Sequence, residues 1–310
     1  MTVKSEAGMT GEEAFGTAAA GRIAFSTDTF VVQPLFFPGG DIGHLAVCGT
    51  VNDVATAGAT PLWLSVGFVL EEGFPLADLR RILHSMATVA QEAGVKIVTG
   101  DTKVVNRGAA DGIFINTAGV GVLTSAHQLS AAAARPGDVV LLSGSIGDHG
   151  ICIISQREGL AFSTDIESDA APLNQLCADV LAAAPDTRLL RDPTRGGLAS
   201  ALNEIADASQ VSIEVDEASV PVKDQVRGAC EMLGYDVYQV ANEGKMIAIV
   251  PAAQADAALR ALRANAYGSD AAIIGQVSAD YAPGRVVVRN AFGATRIMDT
   301  LVGEQLPRIC

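Results

Sequence analysis

Apolar and polar residues along the chain follow two rhythms, one near 3.6 residues and one near 2, and their alternation outlines an α/β (α+β) chain in two halves. Arg22 to Val32 is a β-like run around Ser26-Thr27-Asp28-Thr29-Phe30. Phe37-Pro38-Gly39-Gly40-Asp41 reads as a loop whose Asp41 is placed to cap the next element. His44 to Ala57 predicts a helix with Leu45, Cys48, Val51, Val54 and Ala55 on one face, stopped by Gly58 and Pro61. Leu62 to Leu70 predicts a strand and Leu76 to Ala93 a long helix ended by Gly94. Val95 to Thr99 predicts a short buried strand that runs into Gly100-Asp101-Thr102-Lys103, and Gly112 to Leu123 another strand. Residues 1–20, rich in Ala, Gly and Glu, predict a loose arm.

The pattern breaks between Ala131 and Gly137 and restarts with a strand over Val139 to Ser143. Helices are predicted over 150–158, 173–183, 197–209, 222–233 and 252–264, and strands over 188–190, 211–215, 245–250, 272–277 and 285–290. This divides the chain into residues 1–134, residues 135–303 and a short tail, 304–310. Pro307 lacks an N–H and turns the tail outward, leaving Cys310 as a thiol on a mobile end.

Composition narrows the function. Of the 310 residues 49% are hydrophobic, yet no apolar run is long enough to span a membrane, and the N-terminus lacks the pattern of a signal peptide. The net charge of −14 argues against a nucleic-acid or anionic-membrane partner. Cys48, Cys152, Cys177, Cys230 and Cys310 are odd in number and form no CxxC, which fits a reduced cytoplasm without disulfides or structural zinc.

Asp28, Asp53 and Asp101 stand at strand or turn ends beside small residues. Each alone is explained by a cap or a turn. Converging on one crevice, they repel unless a cation separates them, and carboxylates with phosphate oxygens suit Mg²⁺. Lys103 supplies a cation for a phosphate, or is a solvated surface lysine. Neither GxxxxGK[ST] nor a dinucleotide GxGxxG is present. His149, in Asp148-His149-Gly150, is a proton acceptor or a capping-turn histidine. Arg191-Asp192-Pro193-Thr194-Arg195-Gly196-Gly197 suits an anion at a helix start, or is a capped turn with outward arginines. Glu243, on the turn Asn242-Glu243-Gly244-Lys245, is a base aimed into a cleft or a solvated side chain.

The strings FSTDTFVVQPLFFPGGDIGHLAVCGTVNDVATAGA, LEEGFP, VTGDTKVV, SIGDHGI, RDPTRGGLA, ANEGK and the terminal PRIC resemble the HypE family of hydrogenase maturation factors over about residues 21–310. That family sits in the superfamily of aminoimidazole ribonucleotide synthetase, selenophosphate synthetase and thiamine monophosphate kinase. The resemblance implies a two-domain fold, with an N-terminal sheet forming the core of a homodimer and a C-terminal α/β domain. It also implies an ATP site with metal-bound phosphates. By this resemblance Asp28, Asp53 and Asp101 match metal positions, Asn52 and Lys103 phosphate-side positions, and Gly39, Gly40 and Asp41 the segment near nucleotide. The family pattern places an acidic pair in its N-terminal arm; here Glu12-Glu13 stands in its place.

The activity implied is ATP-dependent dehydration of a carbamoyl group on Cys310 to a thiocyanate. HypF would donate the carbamoyl group and the HypC–HypD complex would accept the cyanide for [NiFe]-hydrogenase iron. Cys310, Lys103, Glu243 and His149 are the catalytic candidates, with Glu243 or His149 as base. The alternatives are another ATP-dependent enzyme of the superfamily and a slow, N-terminally shortened scaffold.

Overall fold

In a computed structural model, residues 22–123, 127–159, 166–300 and 308–310 are described. The expected arm over 1–20, with Glu12-Glu13, and the tail positions 304–307 lie outside these residues.

The first half builds a four-stranded sheet from β1 (Arg22–Phe30), β4 (Thr60–Glu71), β5 (Lys96–Val105) and β6 (Ile113–Leu123), in the order β1-β6-β4-β5. A two-residue-stranded hairpin, β2 (Phe36–Phe37) and β3 (Gly40–Asp41), leads into helix α1 (Ile42–Thr56), which crosses one face of the sheet. Capped by Asp41, that helix starts two residues before the sequence pattern does. The Asp41 Oδ1 accepts the N–H groups of Gly43 and His44 at 2.8 and 3.0 Å, supplying partners that a first helical turn lacks. The expected single apolar face is also too narrow. Residues from Ile42 to Ala55 are buried on almost every side, because α1 is packed between the sheet, helix α2 (Leu76–Ala93) and the second domain. Close approach of α1 to β6 depends on Gly121, where a Cβ would lie 2.4 Å from Val54 Cγ1.

The opposite face of this sheet is open. Ile23 is 57% and Phe25 67% exposed there. Strand β5 is longer than expected. Gly100-Asp101-Thr102-Lys103, beyond the expected strand end at Thr99, is strand that pairs in parallel with β4, and a Cβ on Gly100 would meet the Val66 carbonyl oxygen at 2.5 Å.

The second half forms a seven-stranded sheet from β7 (Asp138–Leu142), β8 (Leu189–Arg191), β9 (Ser212–Asp216), β10 (Ile247–Pro251), β11 (Ala272–Ser278), β12 (Val286–Arg289) and β13 (Thr295–Ile297), ordered β13-β12-β9-β11-β7-β10-β8. Pairing is antiparallel except between β9 and β12. Both faces are covered, which is why β10 reads as an unbroken apolar run. Ile247 and Ile249 pack with Leu198, Leu202 and Ile205 of helix α5 (Gly197–Ser209), while Ala248 and Val250 pack with Leu176 and Val180 of α4 (Asn174–Ala183) and Leu262 of α7 (Ala255–Ala264). Helix α3 (Asp148–Arg157) and α6 (Asp224–Leu233) complete the layer nearest the first domain's hairpin.

Candidate functional site

The C-terminus is not turned outward. Val31 N–H donates to the Cys310 carbonyl at 3.0 Å and Gln33 N–H to the Arg308 carbonyl at 3.3 Å, an antiparallel pairing just beyond β1. Ile309 is buried in the apolar cluster of the first domain, with Phe37 and Ile153, and Cys310 packs against it half-buried. The expectation of an outward end fails because the last residues find both backbone partners and an apolar slot in the cleft.

The slot is made by the hairpin, α3 and the segment 166–171. Ser168 N–H donates to the Pro38 carbonyl at 2.9 Å. Gly39, at φ +87, lies where a Cβ would be 2.7 Å from the Ser168 carbonyl oxygen, so the glycine serves domain contact here. Fully buried His149 stands between Ser168 and the tail: its Nδ1 is 2.8 Å from Ser168 Oγ and its Nε2 2.7 Å from the Ile309 carbonyl oxygen. The carbonyl accepts only, so Nε2 carries the proton. Ser168 Oγ accepts the Ala170 N–H at 3.1 Å and donates its own hydrogen to Nδ1. Burial lowers the His149 pKa, against Asp169 and the Ile309 carbonyl, which keeps the ring neutral in this pattern.

Around the Cys310 side chain, charge is dense. Burial, then Glu243 and Asp28, push its thiol up to about 12, against the opposing pull of Arg195. Burial, then Asp169, Asp192 and Asp28, push Glu243 well above the usual carboxylate range, and its buried Oε1 has no hydrogen-bond partner. Glu243 is therefore a neutral acid beside the thiol. Asp28 pairs with Arg195 at 3.7 Å and accepts the Thr29 N–H at 2.7 Å. Asp53, on α1, accepts the Ser26 hydroxyl at 2.6 Å. Burial, with Asp192 and Asp28 nearby, still pushes its carboxyl up to about 6. Asp169 is ionised in spite of its burial, held by Lys245 at 3.2 Å and by the Glu243 N–H at 3.1 Å.

The structure thus gathers Cys310, Glu243, Asp28 and Asp53, with His149 behind the tail, and departs from the sequence reading elsewhere. Asp101 pairs with Gly67, and Gly67 with Asn116, whose Nδ2 reaches the Thr27 and Thr29 hydroxyls on the open face. Asp101 and, two residues on, Lys103 therefore lie on the face away from Asp28, three strand spacings or about 14 Å across the sheet. Within one chain the three metal candidates do not meet, and among the described residues no group of three His, Cys, Asp or Glu side chains is placed to hold a metal ion.

Asn52 is not open to a phosphate. Its Nδ2 donates to the carbonyls of Ala171 and Glu243 at 3.0 and 3.2 Å, and its Oδ1 accepts the Leu173 N–H at 2.7 Å. Asp41 is occupied as the helix cap, and Gly40 belongs to the hairpin.

Asp192, Asp169 and Ser168 were missed as site residues. Asp192 stands in a string where the two arginines are the stronger anion signal. Ser168 and Asp169 had no local signal, because their role depends on His149 and Lys245, far off in the chain. The result is a cluster in which the acids Glu243, Asp53 and Asp192 lie near Asp28, and Glu243 and Asp28 near the Cys310 thiol. Burial and mutual repulsion there raise Asp53, a state that a hard cation with phosphate oxygens would relieve.

Residues 13–123 match the family described as AIR synthase related protein, N-terminal domain, and residues 135–288 match AIR synthase related protein, C-terminal domain. The chain is 57% identical over 301 residues to a protein of Cupriavidus necator named carbamoyl dehydratase HypE, an alignment covering 96% of this chain and 85% of that protein. A crystal structure of hydrogenase maturation protein HypE in complex with ATP superposes with a TM-score of 0.91 at 52% identity, over 94% of this chain and 88% of that one. HypE in a crystal structure of a HypE–HypF complex does so with a TM-score of 0.88 at 50% identity, over 90% of each chain.

Proposed function

The chain belongs to the HypE family of carbamoyl dehydratases within the AIR synthase related proteins, and from this we propose that it uses ATP to dehydrate a carbamoyl group on its own Cys310 to a thiocyanate, the source of the cyanide ligand for [NiFe]-hydrogenase iron. The observation that carries the reading is the docked C-terminus, which sets the Cys310 side chain among Arg195, Glu243 and Asp28.

Cys310 is loaded outside the cleft. Docked, its thiol is pushed up to about 12 and is a poor nucleophile; undocked, it regains an ordinary thiol's reactivity. HypF, bound to HypE in the solved complex, is the carbamoyl donor in this reading. The loaded tail then returns to the slot beside His149. The carbamoyl oxygen attacks the γ-phosphorus of ATP and ADP leaves. Loss of the nitrogen-bound protons and cleavage of the C–O bond release phosphate and leave the S–C≡N group on Cys310. Glu243, protonated before the reaction, donates a hydrogen bond to the carbamoyl group. The first nitrogen proton leaves to solvent as the oxygen takes the phosphoryl group; as the C–O bond then breaks, Glu243 gives its proton to the departing phosphate and its carboxylate takes the second proton from nitrogen.

Asp28 and Asp53, two carboxylates rather than a full protein ligand set, would hold Mg²⁺ together with the nucleotide phosphates. Bound there, the ion supplies charge neutralisation at the transferring phosphoryl group. Asp101 and Lys103 complete the nucleotide site of a second copy. They share the open sheet face with Ile23 and Phe25, the surface that a homodimer buries. The cyanide then passes to the HypC–HypD complex. Among the described residues no helix is long and apolar enough to cross a membrane, and the reading places the protein in the cytoplasm.

Intact mass of the protein after incubation with HypF, carbamoyl phosphate and ATP tests this. The carbamoyl adduct must lose the mass of one water when ATP is present and keep it when ATP is omitted. An adduct that never loses water with ATP sinks the proposal.

A further inference from the structure

We infer that His149 is a positioning residue that sets the register of the C-terminal tail, with Arg157 and Asp111 completing a latch around it; this deepens the proposed dehydration and rests on it. Three backbone carbonyls of the tail are held, each by a different donor. Ile309 is bonded by His149 Nε2, Cys310 by the Val31 N–H, and Arg308 by the Gln33 N–H and by Arg157 Nη2 at 2.8 Å. Arg157 also donates to the Gln33 carbonyl, at 3.0 Å, so one guanidinium ties the end of α3 to both chains of the pairing.

The Arg308 side chain is held as well. Its Nη1 lies 2.5 Å from Asp111 Oδ2 and 3.2 Å from Gln33 Oε1. Arg308 adopts φ +54, a left-handed conformation disfavoured for a residue with a Cβ, so its neighbours must hold it there. A tail held by carbonyls and one strained residue is fixed in place yet releasable.

His149 has no capacity left for proton abstraction. Nε2 donates to Ile309, and Nδ1 faces the Ser168 hydroxyl. Ser168 is itself fixed by Pro38 and Ala170. The imidazole therefore acts through the tail backbone, and Glu243 is left as the group beside the reacting carbon.

The test uses the full chain and two readouts. The first is the rate at which iodoacetamide alkylates the unmodified Cys310. His149→Ala and Arg157→Ala are expected to raise it about tenfold, Asp111→Ala less, through greater opening of the tail. The second is single-turnover dehydration of the carbamoylated tail. His149→Ala is expected to slow it roughly a hundredfold, the size of effect that an ångström of misplacement brings. His149→Gln keeps an N–H near the Nε2 position but is no base; it is expected to stay within about threefold of wild type and to keep Cys310 protected.

A His149→Gln protein as slow as His149→Ala, with Cys310 still protected, makes His149 a proton acceptor and overturns the inference. Unchanged alkylation in Arg157→Ala overturns the latch, and that surface variant decides the matter should the His149 variants fail to fold. Absence of dehydration in the wild type would count against the proposed function alone, since alkylation needs no carbamoyl chemistry.

Discussion

Asn52 in the first domain holds the backbone of Glu243 in the second, with its Nδ2 3.2 Å from the Glu243 carbonyl oxygen. The same amide bonds Ala171 and Leu173, so one buried side chain locates both the acid beside Cys310 and the segment that carries Ser168. Replacing Asn52 with Ala strands two carbonyls and an N–H away from water. The expected cost is about 3 kcal/mol in denaturant unfolding. Asn52→Asp should cost at least as much, because a carboxylate would face two carbonyls that only accept. Dehydration should fall further than stability in both variants, since Glu243 loses its anchor. A fold and activity like wild type would show that the interdomain contact is dispensable.

Asp53 sets a pH dependence. Its folded pKa of about 6 lies above the ordinary 3.8, so the folded protein binds this proton more tightly than the unfolded chain. The stabilisation is full below 3.8, falls between 3.8 and 6, and is gone above 6. Asp53→Asn keeps a neutral group at all pH and should stabilise the protein at pH 8 by as much as about 3 kcal/mol, with no gain at pH 4. Mg·ATP affinity should drop in the same variant. Thermal unfolding at the two pH values, with and without Mg·ATP, checks both halves. A variant that is less stable at pH 8 would mean that burial beside Asp28 and Asp192 does not disfavour the Asp53 charge.

Glu243→Gln removes an acid that can give up and retake a proton but hardly changes shape, and burial already disfavours the native side chain's charge. Stability should move by less than about 1 kcal/mol, while conversion of carbamoyl to thiocyanate should fall by about 10²-fold or more, as expected for a lost acid–base group. Carbamoylation of Cys310, proposed to take place with the tail undocked, should not change. An active Glu243→Gln protein would remove Glu243 from the chemistry.

The pattern of elements in both halves was legible because apolar periodicity is local: the helix over 197–209 has the same bounds in sequence and structure. The expected strand end at Thr99 is too early: β5 runs on through Gly100-Asp101-Thr102-Lys103 to Val105, and the glycine is needed where β5 meets Val66. Asp28 and Asp53 were expected to converge, and they do lie near each other across α1 and β1. Asp101 was assigned to the same cluster, but alternation along the strand sends it to the other face. The latch was not legible at all. His149 and Ile309 are 160 residues apart, and a carbonyl leaves no mark on the sequence.

That displacement of Asp101 gives the sharpest test of a shared site. If each nucleotide site takes Asp53 from one subunit and Asp101 from the other, neither Asp53→Asn nor Asp101→Asn homodimers have an intact site. Mixing the two after reversible dissociation creates heterodimers in which one site carries both defects and the other none. Random reassortment should then restore about a quarter of wild-type sites, as two-fold symmetry requires. ATP-dependent dehydration by the mixture, against each parent alone, is the measurement. If Asp101 and Asp53 served the same protomer's site, every site in the mixture would keep one defect, and no activity would return however long the subunits exchanged.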